Sequence, residues 1–126
     1  MSFEIEIKEQ PGKIYLIFLE GSLDSDTYTI LDERLAPILG LADLRGLVMN
    51  LKGLFYVSSD GLSVIFKARR ITEGKGGTFM MTGLQPQIKK VFDILKALPE
   101  TCVFQDMAEV DAYLDAMQKE ELEKDR

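Results

Sequence analysis

Short apolar runs alternating with amphipathic helical stretches predict an α/β fold: a single domain on a mixed, mostly parallel sheet of four to five strands, with about four helices packed against it. Three observations carry this. Two strand-like segments open the chain and are joined by Pro11-Gly12; three strand–helix units follow; and Gly- or Pro-bearing turns punctuate the series. The length of 126 residues fits one domain with its own core.

Phe3, Ile5 and Ile7 alternate with Glu4, Glu6 and Lys8, the pattern of a strand with one wet face. Ile14 to Leu19 is a second, more apolar strand, and the Pro11-Gly12 turn makes the pair an antiparallel hairpin. Gly21 to Asp26 is rich in turn and capping residues. Tyr28, Leu31, Leu35 and Ile38 then recur at helical spacing, so a helix runs to about Leu39, its last turn weakened by Pro37. Leu47-Val48-Met49-Asn50-Leu51 reads as a central strand covered on both faces.

A helix follows from about Asp60 to Thr72, with Leu62, Ile65 and Phe66 facing inward and Arg69 on the flank. Gly74-Lys75-Gly76-Gly77 ends it and turns the chain into a strand, Thr78 to Met81. This glycine cluster follows a helix and lacks the Gly-x-x-x-x-Gly-Lys-Ser/Thr spacing, so it is a turn and not a phosphate loop. Pro86 opens a helix whose apolar stripe is Ile88, Val91, Phe92 and Leu95. Thr101 to Phe104 reads as a last strand. Asp106 and Glu109 cap a final helix with the stripe Val110, Tyr113, Leu114 and Met117. Residues 1–118 thus form the domain, and the charged residues 119–126 are a tail expected to fray.

Composition excludes several functions. The chain has no histidine, so Ser-His and Cys-His catalysis and imidazole metal sites are ruled out, and no enzyme activity, metal or cofactor is expected. Its one cysteine, Cys102, lies in an apolar run and reads as an inert buried thiol. The N-terminus lacks the basic and apolar regions of a signal peptide, and no stretch reaches membrane-spanning length, so a cytoplasmic location without membrane insertion is expected. The net charge of −6 argues against nucleic acid. The basic clusters Lys67/Arg69/Arg70 and Lys89/Lys90 read as solvated helix faces, although Lys89/Lys90 would equally suit an acidic partner.

The informative turn is Val57-Ser58-Ser59-Asp60-Gly61-Leu62. It lies at the carboxyl end of a strand, where open α/β sheets meet ligands and partners. One serine suffices to cap the helix. Here Ser58, Ser59 and Asp60 come together, followed by Gly61, which costs about 0.8–1.0 kcal/mol of helix propensity relative to Ala. A glycine at that position implies close approach by another chain or tight packing on the neighbouring loop.

The run from Leu47 through Asn50-Leu51 to Ser58-Ser59-Asp60-Gly61-Leu62-Ser63-Val64-Ile65 resembles the signature of STAS domains of the anti-sigma factor antagonist type. Gly21-Ser22-Leu23-Asp24 is similar to the family's Gly-x-Leu-Asp after the second strand, and the element order matches from about Phe3 to Met117. The resemblance implies a protein that binds an ATP-dependent serine kinase anti-sigma factor. Phosphorylation of one serine at the helix start switches this binding off, and a serine phosphatase restores it. By position that serine is Ser59, with Ser58 the less favoured choice. The implied partner surface comprises Asp24, Ser58, Ser59, Asp60, Gly61, Leu62 and Ser63 on a monomer or weak dimer.

Two positions depart from the family pattern. Asn50 stands where Asp is common, and Asp60 puts a permanent negative charge beside Ser59 where a small residue is usual. They favour the alternative function, a STAS scaffold or adaptor that is never phosphorylated, in a stress-signalling assembly or lipid-transport complex. A nucleophilic Ser59 is the third reading; it lacks both a histidine and a Gly-x-Ser-x-Gly elbow.

Overall fold

In the computed structural model, residues 2–97 and positions 116, 119, 120, 122 and 123 are described. The expected strand Thr101–Phe104, the caps Asp106 and Glu109, the stripe Val110, Tyr113, Leu114 and Met117, and Cys102 lie outside them. Ala116, Lys119, Glu120, Leu122 and Glu123 are helical.

Strands β1 (Phe3–Gln10) and β2 (Ile14–Leu23) form the expected antiparallel hairpin, in register from Phe3↔Gly21 to Gln10↔Ile14. Its turn uses left-handed backbone at Gly12 and Lys13. β2 outruns the predicted end at Leu19. Gly21 permits this: its φ is +100°, and a Cβ there would lie 1.9 Å from the Ser2 carbonyl oxygen.

Helix α1 (Tyr28–Leu39) buries Leu31, Leu35, Ile38 and Leu39, and Pro37 lies inside its last turn, where it has no amide to donate. Strand β3 (Gly46–Val57) is far longer than the expected Leu47–Leu51. Helix α2 (Ser59–Gly74), strand β4 (Thr78–Thr82) and helix α3 (Pro86–Ala97) complete the described elements. The sheet order is β1-β2-β3-β4, with β2, β3 and β4 parallel. It is the predicted mixed sheet, with four strands and three helices among the described residues.

Alternate residues of the two central strands, Tyr15, Ile17 and Leu19 with Leu47, Met49 and Leu51, are buried with the apolar stripes of α1, α2 and α3. The intervening Leu16, Phe18, Val48 and Asn50 are half-buried, so β3 is not fully covered on both faces as the apolar run suggested. On α2 the buried stripe is Leu62, Val64, Ile65, Ala68 and Thr72. Phe66, expected inside, is 39% exposed and meets the Phe92 ring edge-on, with centroids 5.9 Å apart. Arg69 lies on the exposed flank and pairs with Glu73 at 3.0 Å.

The Gly74–Gly77 stretch is the turn it was read as. Gly76 has φ +79°, and the Gly76 and Gly77 amides donate to the carbonyls of Glu73 and Thr72. Lys75 reaches across and donates to the carbonyls of Leu39 and Leu41, tying this end of α2 to the end of α1.

Candidate functional site

The parallel pairing of β2 and β3 decides where the two unusual turns meet. The strands end together at Leu23↔Val57, and the Ser58 amide donates to the Leu23 carbonyl at 2.9 Å. Asp24 follows Leu23 directly, so the turn after β2 and the turn before α2 are neighbours.

Ser58 is the N-cap of α2. Its backbone is extended (φ −95°, ψ 175°), its carbonyl accepts from the Leu62 amide at 2.9 Å, and its Oγ accepts from the Gly61 amide at 3.2 Å. Ser59 is the first helical residue and Asp60 supplies a carboxylate to the first turn, where the helix dipole favours negative charge. Ser58 is 8% and Ser59 5% exposed, while Asp60 is half-buried. One turn on, the exposed Ser63 donates its hydroxyl to the Ser59 carbonyl at 3.1 Å. Leu62 is buried in the core, so its side chain supports the turn from beneath.

Gly61 is explained by packing. A Cβ at this position would lie 2.7 Å from Leu23 Cγ and 2.8 Å from the Leu23 carbonyl oxygen. The first turn of α2 rests directly on the end of β2, and only glycine allows that approach. Of the two readings of Gly61, tight packing on the neighbouring loop is the one the geometry bears out.

Asp24 organises the adjoining turn. Its Oδ1 accepts from the Asp26 amide at 2.9 Å and the Thr27 amide at 3.1 Å, and its own carbonyl accepts from the Tyr28 amide at the start of α1. The Thr27 hydroxyl accepts from the Asp24 amide and donates to the Ser22 carbonyl. The half-buried Asp24 is thus held rigidly beside Ser58.

Sequence reasoning missed three residues here. Phe55, two residues before the end of β3, has a side chain 40% exposed. Gln87 is 1% exposed and donates through Nε2 to the Phe55 carbonyl, and Gln85 donates to the Lys52 carbonyl, each at 2.8 Å. Nothing in the sequence says that Gln87 is buried or what either glutamine bonds.

Lys67 pairs with Asp32 at 2.8 Å between α2 and α1, and Lys89 is exposed on α3. Among the described residues no group of three His, Cys, Asp or Glu side chains could hold a metal ion, and no helix is long and apolar enough to cross a membrane.

An α/β domain whose two parallel central strands deliver an Asx turn and a doubly serine-bearing helix start to one spot defines the class of this protein. The model of the STAS domain matches residues 4–110, and the chain belongs to that family. It is 24% identical over 94 residues to the anti-sigma F factor antagonist of Paenibacillus polymyxa, covering 75% of this chain and 80% of that protein. It is 27% identical over 95 residues to the anti-sigma-B factor antagonist of Bacillus subtilis, covering 75% and 84%. The structure of the Bacillus cell fate determinant SpoIIAA in the phosphorylated form superposes with a TM-score of 0.62 at 17% identity, covering 73% of this chain and 83% of that one.

Proposed function

We propose that this protein is an anti-sigma factor antagonist: it binds a serine kinase anti-sigma factor, is switched off by that kinase's phosphorylation of Ser59, and is restored by a serine phosphatase. The observation that carries the reading is the division of labour between the two serines. Ser58 spends its hydroxyl on the Gly61 amide as the helix cap, while Ser59 stands at the first helical position. Two relatives bearing the name anti-sigma factor antagonist support the partner class, and a similar fold known in a phosphorylated form supports the switch.

The chemistry of the switch follows from the site. A phosphoryl group adds a charge of about −1.5 to −2. At the start of a 16-residue helix that charge meets the positive end of the dipole, so the fold survives. A partner packed over Asp24, Ser58, Ser59, Asp60, Gly61 and Ser63, with Leu62 beneath, must then desolvate a dianion flanked by Asp24 and Asp60. The fold persists while the interface fails.

The test is incubation with the anti-sigma kinase and ATP, followed by site mapping with mass spectrometry. One phosphoryl group is expected on Ser59 and none on Ser59→Ala. Equal incorporation into Ser59→Ala sinks the assignment. The scaffold reading, given weight by the permanent charge of Asp60 beside Ser59, gains if neither protein takes phosphate and a pull-down recovers membrane transporter subunits and no kinase.

A further inference from the structure

We infer that Gln85 and Gln87 are positioning residues for the Ser58–Ser59 turn, standing in for a neighbouring strand along the last part of β3; the inference rests on that turn being the functional site. β4 pairs with β3 only as far as Asn50↔Thr82, and then Gly83, with φ +70°, turns the chain away. β3 nevertheless continues to Val57. On its other side it follows β2 through two irregularities: Phe18↔Asn50 is followed by Glu20↔Gly53, and Gly21↔Leu54 by Ser22↔Tyr56, so β3 takes an extra residue each time. Among the described residues no strand flanks β3 on that side beyond Asn50, and two bulges interrupt its other side, so its own ladder specifies it weakly.

Side-chain amides make up the deficit. Asn50 Oδ1 accepts from the Lys52 amide at 3.0 Å, and Gln85 Nε2 donates to the Lys52 carbonyl. Gln87 Nε2 spends one hydrogen on the Phe55 carbonyl and the other on Gln85 Oε1, at 2.9 Å. The two glutamines are thereby linked to each other as well as to β3. The lead-in to α3 can come this close because residue 83 is glycine: a Cβ there would lie 3.2 Å from Lys52 Cβ and 3.3 Å from its amide nitrogen. Gln85 also occupies the cap position of α3, its carbonyl accepting from the Ile88 and Lys89 amides, so its backbone is fixed and its side chain is committed to β3.

The strand so held delivers the site. Three residues separate the Phe55 carbonyl from the Ser59 backbone, and within them the Ser58 amide is anchored to Leu23. A buried polar group that loses its partner loosens what it held. Loosening the end of β3 displaces the surface formed by Ser58, Ser59 and Asp60 relative to Asp24, which belongs to a different strand end. The expected consequence is weaker recognition of the folded surface rather than slower phosphoryl transfer once bound.

The experiment uses the full chain and three variants, Gln87→Met, Gln87→Glu and Gln85→Leu, with amide hydrogen exchange and steady-state phosphorylation as readouts. In Gln87→Met, which keeps the side-chain length and removes both donors, protection across residues 52–58 is expected to fall about tenfold or more, with Ile17 and Leu35 unchanged. The KM for this protein as kinase substrate rises about fivefold while kcat stays within about twofold. Gln87→Glu loses the same protection at neutral pH. It regains it as the pH falls and the carboxyl takes up its proton, above the ordinary carboxylate range because the position is buried and faces the Phe55 carbonyl, to which the protonated carboxyl donates again. Gln85→Leu loses protection only around Lys52. Wild-type protection across 52–58 in Gln87→Met, or a loss spread evenly over β1 and α1, overturns the inference. If wild type takes no phosphate at Ser59, the functional reading fails while the exchange data still decide the positioning role.

Discussion

At the amino end of α2, a methyl group on Gly61 would collide with Leu23; at the carboxyl end, the same methyl group on Gly74 would meet no atom within 4 Å. One helix thus carries two glycines with opposite standing. Gly61 exists because the helix start is pressed onto the end of β2, the strand that presents Asp24. Gly74 sits in open space at the opposite end of the sheet, where Lys75 and Gly76 do the work of ending the helix. The two ends of α2 are thus packed differently: its start is pressed onto β2, whereas Gly74 has room and the close approach at the other end falls only at Gly77, where a Cβ would lie 3.1 Å from the Arg45, Leu44 and Thr72 carbonyl oxygens.

The largest effect is expected at the tight end. Phosphorylated protein, or a Ser59→Glu variant that carries part of its charge, should bind the anti-sigma kinase more than about a hundredfold more weakly than the unmodified protein, equivalent to about 3 kcal/mol. Its urea midpoint should move little, because the charge enters at the helix N-terminus. Calorimetric titration beside a denaturation curve checks both. A large stability loss with unchanged affinity would mean that the turn is structural only.

The next effect is on stability and sets the two glycines against each other. Gly61→Ala should destabilise by about 1–3 kcal/mol, the overpacking penalty, which outweighs the helix propensity gained. Gly74→Ala should be stabilising by about 0.4–1 kcal/mol. Urea unfolding of the two variants measures the difference. If both shift the midpoint the same way, the asymmetry between the two ends is wrong.

Ser58→Ala should cost about 1 kcal/mol by removing the acceptor for the Gly61 amide. It should still be phosphorylated at Ser59. This separates the capping serine from the proposed acceptor, a distinction that neighbouring identical side chains hide in the sequence.

How much of this was legible beforehand depends on whether a feature leaves a periodic trace. The start of α2 did, because Ser-Ser-Asp-Gly is more capping chemistry than a helix needs. The placement of Asp24 near it followed from strand–strand topology. The length of β3 left no such trace: Leu51, Leu54 and Val57 are buried three residues apart, since bulges shift the alternation. That spacing imitates a helix or a loop and hid the second half of the strand. Phe66 was misread for a related reason. Its spacing from Leu62 is helical, but Val64 and Ala68 set the buried stripe and leave residue 66 on its edge against Phe92. Gln85 and Gln87 were illegible because hydrogen bonding to a distant backbone has no local pattern at all.

The smallest effect belongs to the amino end of the sheet. Tyr15 lies near the start of β2, opposite Glu9 in the hairpin, and its hydroxyl donates to Glu9 Oε1 at 2.6 Å. That hydrogen bond, then burial, then the charges of Glu9 and Asp43, hold its pKa above the ordinary 10.0. The folded chain therefore keeps this proton at a pH where the unfolded chain has begun to lose it. The stability it contributes is fully present below pH 10.0 and is lost as pH rises through the folded value. Urea midpoints of wild type and Tyr15→Phe should run parallel below that point and converge above it. Lysines and the other tyrosines titrate in both proteins and cancel in the difference. Ser58→Ala, compared with wild type in the same way, should show a constant gap across this range, because a serine hydroxyl does not titrate there. Convergence in the serine pair, or its absence in the tyrosine pair, would remove the chemical distinction between a sheet end held by a neutral helix cap and one held by an ionisable side-chain pair.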